Sequence, residues 1–180
     1  MIEYMFYVPL FHYHIETWEN IKPKLLEAIE KMPISNPDKP TGQPAPKEII
    51  DIIKQPIENF ISDMELKFED VDINMWWQCY QKNEGHRPHA HGEADFGSTL
   101  FLNFLPGIHS PTRFYAPFNN YLTGNVLEFE KKDIKEGDII FFPASIIHES
   151  PINKSVEPKK IIAMNLNVPK LVQKFRSQGL

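Results

Sequence analysis

One cysteine, Cys79, stands among 180 residues, which excludes an internal disulfide and any zinc site built from several thiolates. Basic residues are outnumbered, 19 Lys and Arg against 24 Asp and Glu, for a net charge of −5. A face that neutralises duplex phosphates needs the opposite balance, so no duplex nucleic acid is expected as a partner. No run of about 18 apolar residues is available to cross a bilayer. The opening MIEYMFYVPL also lacks the basic stretch of a secretory signal. No membrane partner is expected, and a reducing, cytoplasmic address follows. Glycine is scarce at 8 residues while proline reaches 16, so many turns are expected. What the chain has in quantity is apolar surface: 42% hydrophobic and 12% aromatic residues, too much for disorder and enough for a sizeable core. At this length a single domain over residues 1–180 is expected.

Within it, a helical front (1–70), a strand-rich half (71–168) and a short basic tail (169–180) are distinguishable. Residues 17–32 repeat Ile21, Leu25, Leu26, Ile29 and Met32 at helical spacing. Pro23 is tolerated only in a first turn, which predicts a regular helix starting near Ile21. Residues 33–46 carry Pro33, Pro37, Pro40, Pro44 and Pro46 and read as a loop, either a lid or a connector. Ile49, Ile50, Ile53, Ile57, Phe60, Ile61 and Met64 then share one broad helical face, kinked or split at Pro56. Both helices read as scaffold against a sheet. From Val71 the period changes. Runs at 72–82, 98–105, 112–116, 126–131, 138–143 and 159–168 are aromatic or β-branched and are separated by Gly, Pro, Asn and Asp. Without intervening helices they predict an antiparallel sandwich or barrel, making the fold mostly β with supporting α.

The histidines cluster in Gly85-His-Arg-Pro-His-Ala-His-Gly-Glu-Ala-Asp95. On an extended segment His89 and His91 project to one face, which Glu93 continues. His148 follows the apolar run Gly137-Asp-Ile-Ile-Phe-Phe-Pro143, 57 residues beyond His91. A histidine pair on one strand and a third on a distant strand is how a β-barrel can build a metal centre in its mouth. Ligands on one side of an ion with open positions opposite is the arrangement of non-haem Fe(II) oxygenases. His12 and His14 repeat the spacing with nothing nearby to complete a site, and read as structural or surface groups. Trp76 and Trp77 point to opposite faces of their strand. Tyr80, Asn103 and Tyr115 are candidates to line a pocket, His86 and His109 are loop histidines, and Asn153 reads as a turn residue.

The order Trp76-Trp77, Tyr80, Pro88-His-Ala-His91, Gly97-Ser-Thr-Leu-Phe-Leu102, Arg113-Phe-Tyr-Ala-Pro117, Gly137-Asp-Ile-Ile-Phe-Phe-Pro143, His148-Glu-Ser-Pro-Ile-Asn153 resembles a branch of the 2-oxoglutarate/Fe(II)-dependent dioxygenases found in bacteria and phages. The likeness runs over about Met75 to Val168. It implies a double-stranded β-helix, a jelly-roll or cupin-like core, packed by the N-terminal helices. It also implies hydroxylation of a small molecule or a protein side chain with Fe(II), 2-oxoglutarate and O2. By motif, His89, His91 and His148 would hold the iron.

Two departures from the family stand out. The wider superfamily has a carboxylate two residues after its first histidine, where this chain has His91. The ligands are therefore either His89, His91 and His148 or, one register on, His91, Glu93 and His148; the spacing to residues 97–102 favours the first. Family members also bind the distal carboxylate of 2-oxoglutarate with an arginine on the last core strand. Here that strand opens Lys159-Lys160. Lys159 shares parity with Ile161, Ala163, Asn165 and Asn167, the inward face; Lys160 joins it only through a bulge; Arg113 on an earlier strand is a third candidate. Two other functions fit the residues: a three-histidine iron enzyme that uses no 2-oxoglutarate, and a jelly roll that only binds.

Overall fold

Along Lys159–Asn167, Ile161 and Ala163 point one way, Ile162, Met164 and Leu166 the other, and all five are buried. A strand buried on both faces lies between two layers. The computed structural model, which describes residues 8–35, 42–66 and 71–168, supplies both. In chain order its elements are β1 (Phe11–His14), α1 (Trp18–Glu30), β2 (Gln43–Pro44), α2 (Lys47–Ile52), α3 (Lys54–Asp63), β3 (Asp72–Tyr80) and β4 (His86–His89). There follow β5 (Phe96–Asn103), β6 (Arg113–Asn119), β7 (Val126–Glu130), β8 (Asp138–Pro143), β9 (His148–Ser150) and β10 (Lys159–Asn167). A six-stranded sheet in the order β1-β8-β5-β10-β3-β2 faces a four-stranded sheet in the order β4-β9-β6-β7. Every pairing is antiparallel. This is a jelly roll.

The two faces of the large sheet make two cores. Its outer face, with Leu100, Phe141, Ile162 and Met164, packs on Leu25, Ile29, Ile57 and Phe60 of the helices. Phe60 stacks on Phe141 at 4.4 Å and 8°. Its inner face joins Tyr80, Phe101, Ile140, Phe142 and Ile161 to Phe114 of the small sheet. The helical face read from the sequence is the face that is buried, and the second helical segment is split into α2 and α3 at Ile53, three residues ahead of Pro56.

The first helix begins earlier than Pro23 predicts. It starts at Trp18 and encloses Pro23, because burial of the Trp18 indole outweighs the one hydrogen bond that proline forgoes. That indole occupies the space where Gly137 would carry a side chain: a Cβ there would lie 2.7 Å from the ring, and φ is +81°. Gly137→Ala is therefore expected to cost about 2–4 kcal/mol, read as a lower urea midpoint. An unchanged midpoint would contradict this contact.

Four strands escape the sequence pattern, namely β1, β2, β4 and β9, each of four residues or fewer. In β1, His14 Nδ1 lies 2.8 Å and His12 Nε2 3.0 Å from the carboxylate of fully buried Asp138, which gives both histidines a structural place. Part of the proline-rich loop forms β2 on the edge of β3; residues 36–41 and the basic tail from 169 lie outside the described residues. Among the described residues no helix is long and apolar enough to cross a membrane.

Candidate metal centre

β4 pairs with β9 so that His89, its last residue, lies opposite His148, the first residue of β9. The chain then leaves the ladder, and the His91 N–H donates to Ala144 O at 2.9 Å. That bond brings a third imidazole alongside. The His91 and His148 rings are stacked at 9°, with their Nε2 atoms 3.2 Å apart. Ring nitrogens of His89, His91 and His148 all fall within 4.8 Å of one another. Neighbours fix the rings: Trp76 stacks on His91, His86 on His89 at 3.9 Å, and Phe142 meets His148 edge-on at 4.6 Å.

Backbone carbonyls set two of the tautomers. His89 Nδ1 is 2.8 Å from Arg87 O and His148 Nδ1 is 2.9 Å from Ile146 O. A carbonyl only accepts, so each Nδ1–H donates and each Nε2 keeps its lone pair for an ion. Burial, reinforced by the neighbouring imidazoles, brings His148 down to about 3. Burial and then His89 bring His91 down to about 4, against the hydrogen bond of Asn165. Both are neutral near pH 7, as metal ligands must be. Two nitrogens bound at right angles about 2.1 Å from one ion sit about 3 Å apart, so the 3.2 Å spacing fits. An all-imidazole donor set suits iron, zinc, copper or nickel.

Glu93 is not part of the cluster. The Ala94 N–H donates to His91 O at 3.2 Å, closing a turn over Gly92 and Glu93 that leaves the carboxylate exposed. The single face expected of residues 89–93 exists only while the chain stays extended, and it stops being extended at His91.

The three candidate cations separate sharply. Lys159 is 2% exposed and donates to Ser110 O at 2.7 Å and Ser150 Oγ at 2.9 Å, beside the Tyr80 ring. Burial lowers it to about 7, and among the described residues no carboxylate forms an ion pair with it. Lys160 takes the opposite face, paired with Cys79 and half-buried. The bulge at this point adds its residue to β5, where Leu102 is the extra one, so the inward parity of Lys159 is preserved. Arg113 points out of the small sheet and binds Glu130 at 2.8 Å and Glu149 at 3.0 Å, pairs that hold it firmly protonated.

Ser150 and Tyr80 connect Lys159 to the histidines, because both line the pocket that holds His89, His91 and His148. Gln78 and Ser150 were not among the residues singled out from the sequence. Gln78 alternates with Trp76 and Tyr80 on β3, and Ser150 is two residues past His148, so parity alone could have found both. The Tyr80 hydroxyl donates to Gln78 Oε1, while Gln78 Nε2 and Trp76 Nε1 are buried without acceptors. Ser98 Oγ, which lines the same pocket, and Asn165 Oδ1 are buried without partners too. Of the remaining candidates, Asn103 Nδ2 donates to Pro158 O and Asn153 Nδ2 to Tyr80 O and Glu157 O, so both brace loops. His109 likewise accepts from the Leu105 N–H and approaches Glu157 O at 3.1 Å.

This sandwich is one that solved structures already hold. A prolyl-4-hydroxylase from Pseudomonas putida superposes with a TM-score of 0.59 at 12% identity, over 89% of this chain and 85% of that one. The chain shares its fold. AviO1 from Streptomyces viridochromogenes gives 0.58 at 10% identity, over 89% and 90% of the two chains. The viral collagen prolyl hydroxylase of Paramecium Bursaria Chlorella virus-1, in its 2OG complex, gives 0.57 at 15% identity, over 87% and 95%. At such identities the likeness is of architecture, and chemistry has to be argued from the site. In sequence the chain matches no family model and no curated protein.

Lys159 makes the stability of the fold sensitive to pH. Its folded value of about 7 lies below the ordinary 10.5, so between those two values the unfolded chain binds the extra proton and stability rises with pH. The gain is on the order of a few kcal/mol. Urea unfolding of the ligand-free protein is expected to show this rise from pH 7 to 9.5, and Lys159→Met to flatten it. Parallel pH profiles for the two proteins would contradict the burial argument.

Proposed function

We propose that the chain is a 2-oxoglutarate- and Fe(II)-dependent oxygenase that hydroxylates its substrate and releases succinate and CO2. One observation carries this: three clustered imidazoles line a space between the sheets, and Ser150, which lines it too, accepts a hydrogen bond from the buried amine of Lys159. Ferrous iron with 2-oxoglutarate and O2, when bound, supplies the oxidising power that converts a C–H bond to C–OH.

The residues divide the work. His89, His91 and His148 would hold the metal through nitrogens whose direction is already fixed by Arg87 O, Ile146 O and Trp76. Three protein ligands leave coordination positions for a chelating keto acid and for O2. Lys159 would take the distal carboxylate as a charge-assisted hydrogen bond in a dry site, where such a bond is strong. The open space beside the histidines is about 30 Å³, so the side chains around it would have to move apart to admit a diacid. Its carboxylate would then take the Lys159 bond that Ser150 Oγ now accepts, and Gln78 Nε2 and Trp76 Nε1 would be available as further donors. A reducing, cytoplasmic setting suits the ferrous ion and the free thiol of Cys79.

The test is release of labelled CO2 from carboxyl-labelled 2-oxoglutarate in air with Fe(II). Slow release in step with succinate, above that of iron alone, is expected even without substrate. Release no greater than that of free iron, from protein shown to bind iron, would contradict the proposal.

A further inference from the structure

One bond beyond His148, from the Tyr115 N–H to Ile147 O at 2.9 Å, the two strands of the small sheet part company. The last rung between β6 and β9 joins Phe114 to His148, yet β6 continues to Asn119 paired with β7. The β6–β7 hairpin therefore overhangs the histidine end of the barrel. Beneath it lies a cavity of about 240 Å³, walled by Leu10, Phe114, Leu127, Phe129, Phe142 and Ile146 among others. Its inner wall is the packing of the candidate metal centre itself. Phe142 and Phe114 lie 4.6 and 6.1 Å from His148 between ring centroids, and Ile146 O orients the same imidazole. Phe142 also lines the histidine pocket, and its ring is seated where Gly97 has no side chain. Its outer wall is open, with Phe118 46%, Leu127 37% and Phe129 54% exposed.

Five of the wall residues are aromatic, and Glu128 is the one carboxylate. Glu128 already faces Arg113 at 3.5 Å, and the Tyr115 hydroxyl is engaged by Glu149 and Arg113. Among the described wall residues no cation meets an anion, and the one carboxylate lies at the half-exposed edge beside Arg113, so a charge buried in the aromatic part would go uncompensated. Size narrows the choice further. An apolar cavity of about 150 Å³ holds a benzene, so this one has room for a fused two-ring group. Apolar area left open in such a concave, aromatic setting marks a binding site.

We propose that this cavity seats an uncharged ring system of a small-molecule substrate, directing its neighbouring carbon past Phe142 toward His148. The proposal rests on the oxygenase reading and identifies its substrate class: a hydrophobic, ring-bearing small molecule.

The probe is 5-fluoroindole, followed by ¹⁹F NMR against the protein loaded with Fe(II) and 2-oxoglutarate under argon. Saturable binding is expected, with fluorine relaxation accelerated by the iron. Leu127→Glu and Phe129→Glu, each on the open wall, should weaken binding about tenfold or more while iron titrates as before. Iron binding without probe binding, or probe binding that both variants leave intact, would overturn the proposal while sparing the oxygenase reading. Loss of probe binding as protein concentration rises, with a dimer in sedimentation, would also overturn it, by assigning the cavity to a second copy of the chain. Probe binding without iron binding would instead overturn the oxygenase reading and with it the proposed role of the cavity.

Discussion

Replacing His148 with alanine is expected to weaken Fe(II) binding by at least about 100-fold, since loss of an outer-shell partner alone costs 10–100-fold. His148 is 6% exposed, sits against Phe142 and His91, and presents Nε2 to the cluster. The two apolar cores are made by other residues, so the variant should fold. Isothermal titration with Fe(II) under argon reads the effect. His109→Ala is the matched control: that histidine is buried too, at 4% exposure, but it braces the loop before β6. It should lose stability and keep the iron. Equal iron affinity in the His148 variant and the parent would remove His148 from the centre.

Lys159→Met is expected to raise the dissociation constant for 2-oxoglutarate about 100-fold or more, the scale of leaving a buried charge without its partner. Methionine keeps most of the volume and the apolar contact with Tyr80 while removing the amine that now donates to Ser110 O and Ser150 Oγ. Iron binding should not change, because Lys159 is not among the clustered ligands. Arg113→Met should leave 2-oxoglutarate affinity where it is, since that guanidinium is engaged with Glu130 and Glu149 outside the pocket. If the two variants behaved the other way round, the carboxylate site would lie on the small sheet.

Local pattern made much of this visible beforehand. The run at 138–143 coincides with β8, and period-two alternation on β10 distinguishes Lys159 from Lys160 without any structure. The His-x-His spacing likewise puts two imidazoles together because the chain is extended up to His91. What stayed hidden depends on contacts distant in sequence or on elements too short to show a period. β4 and β9, which carry His89 and His148, have four and three residues. The turn that removes Glu93 needs only one backbone bond, from Ala94 to His91. The partners of Arg113 are 17 and 36 residues away, and Trp18 outweighs Pro23 only because Gly137 makes room for it. The cavity under the β6–β7 hairpin is assembled from β6, β7, β8 and the segment before β1, so no one stretch of sequence reveals it.

The central claim, that the histidine centre and Lys159 together bind iron and 2-oxoglutarate, is tested most directly by anaerobic titration with Fe(II) and then 2-oxoglutarate, followed by visible absorption. The expected result is a weak charge-transfer band of a chelated keto acid that needs both additions and is missing from His148→Ala. Iron binding with no such band would contradict it and leave a three-histidine iron protein that does not use 2-oxoglutarate.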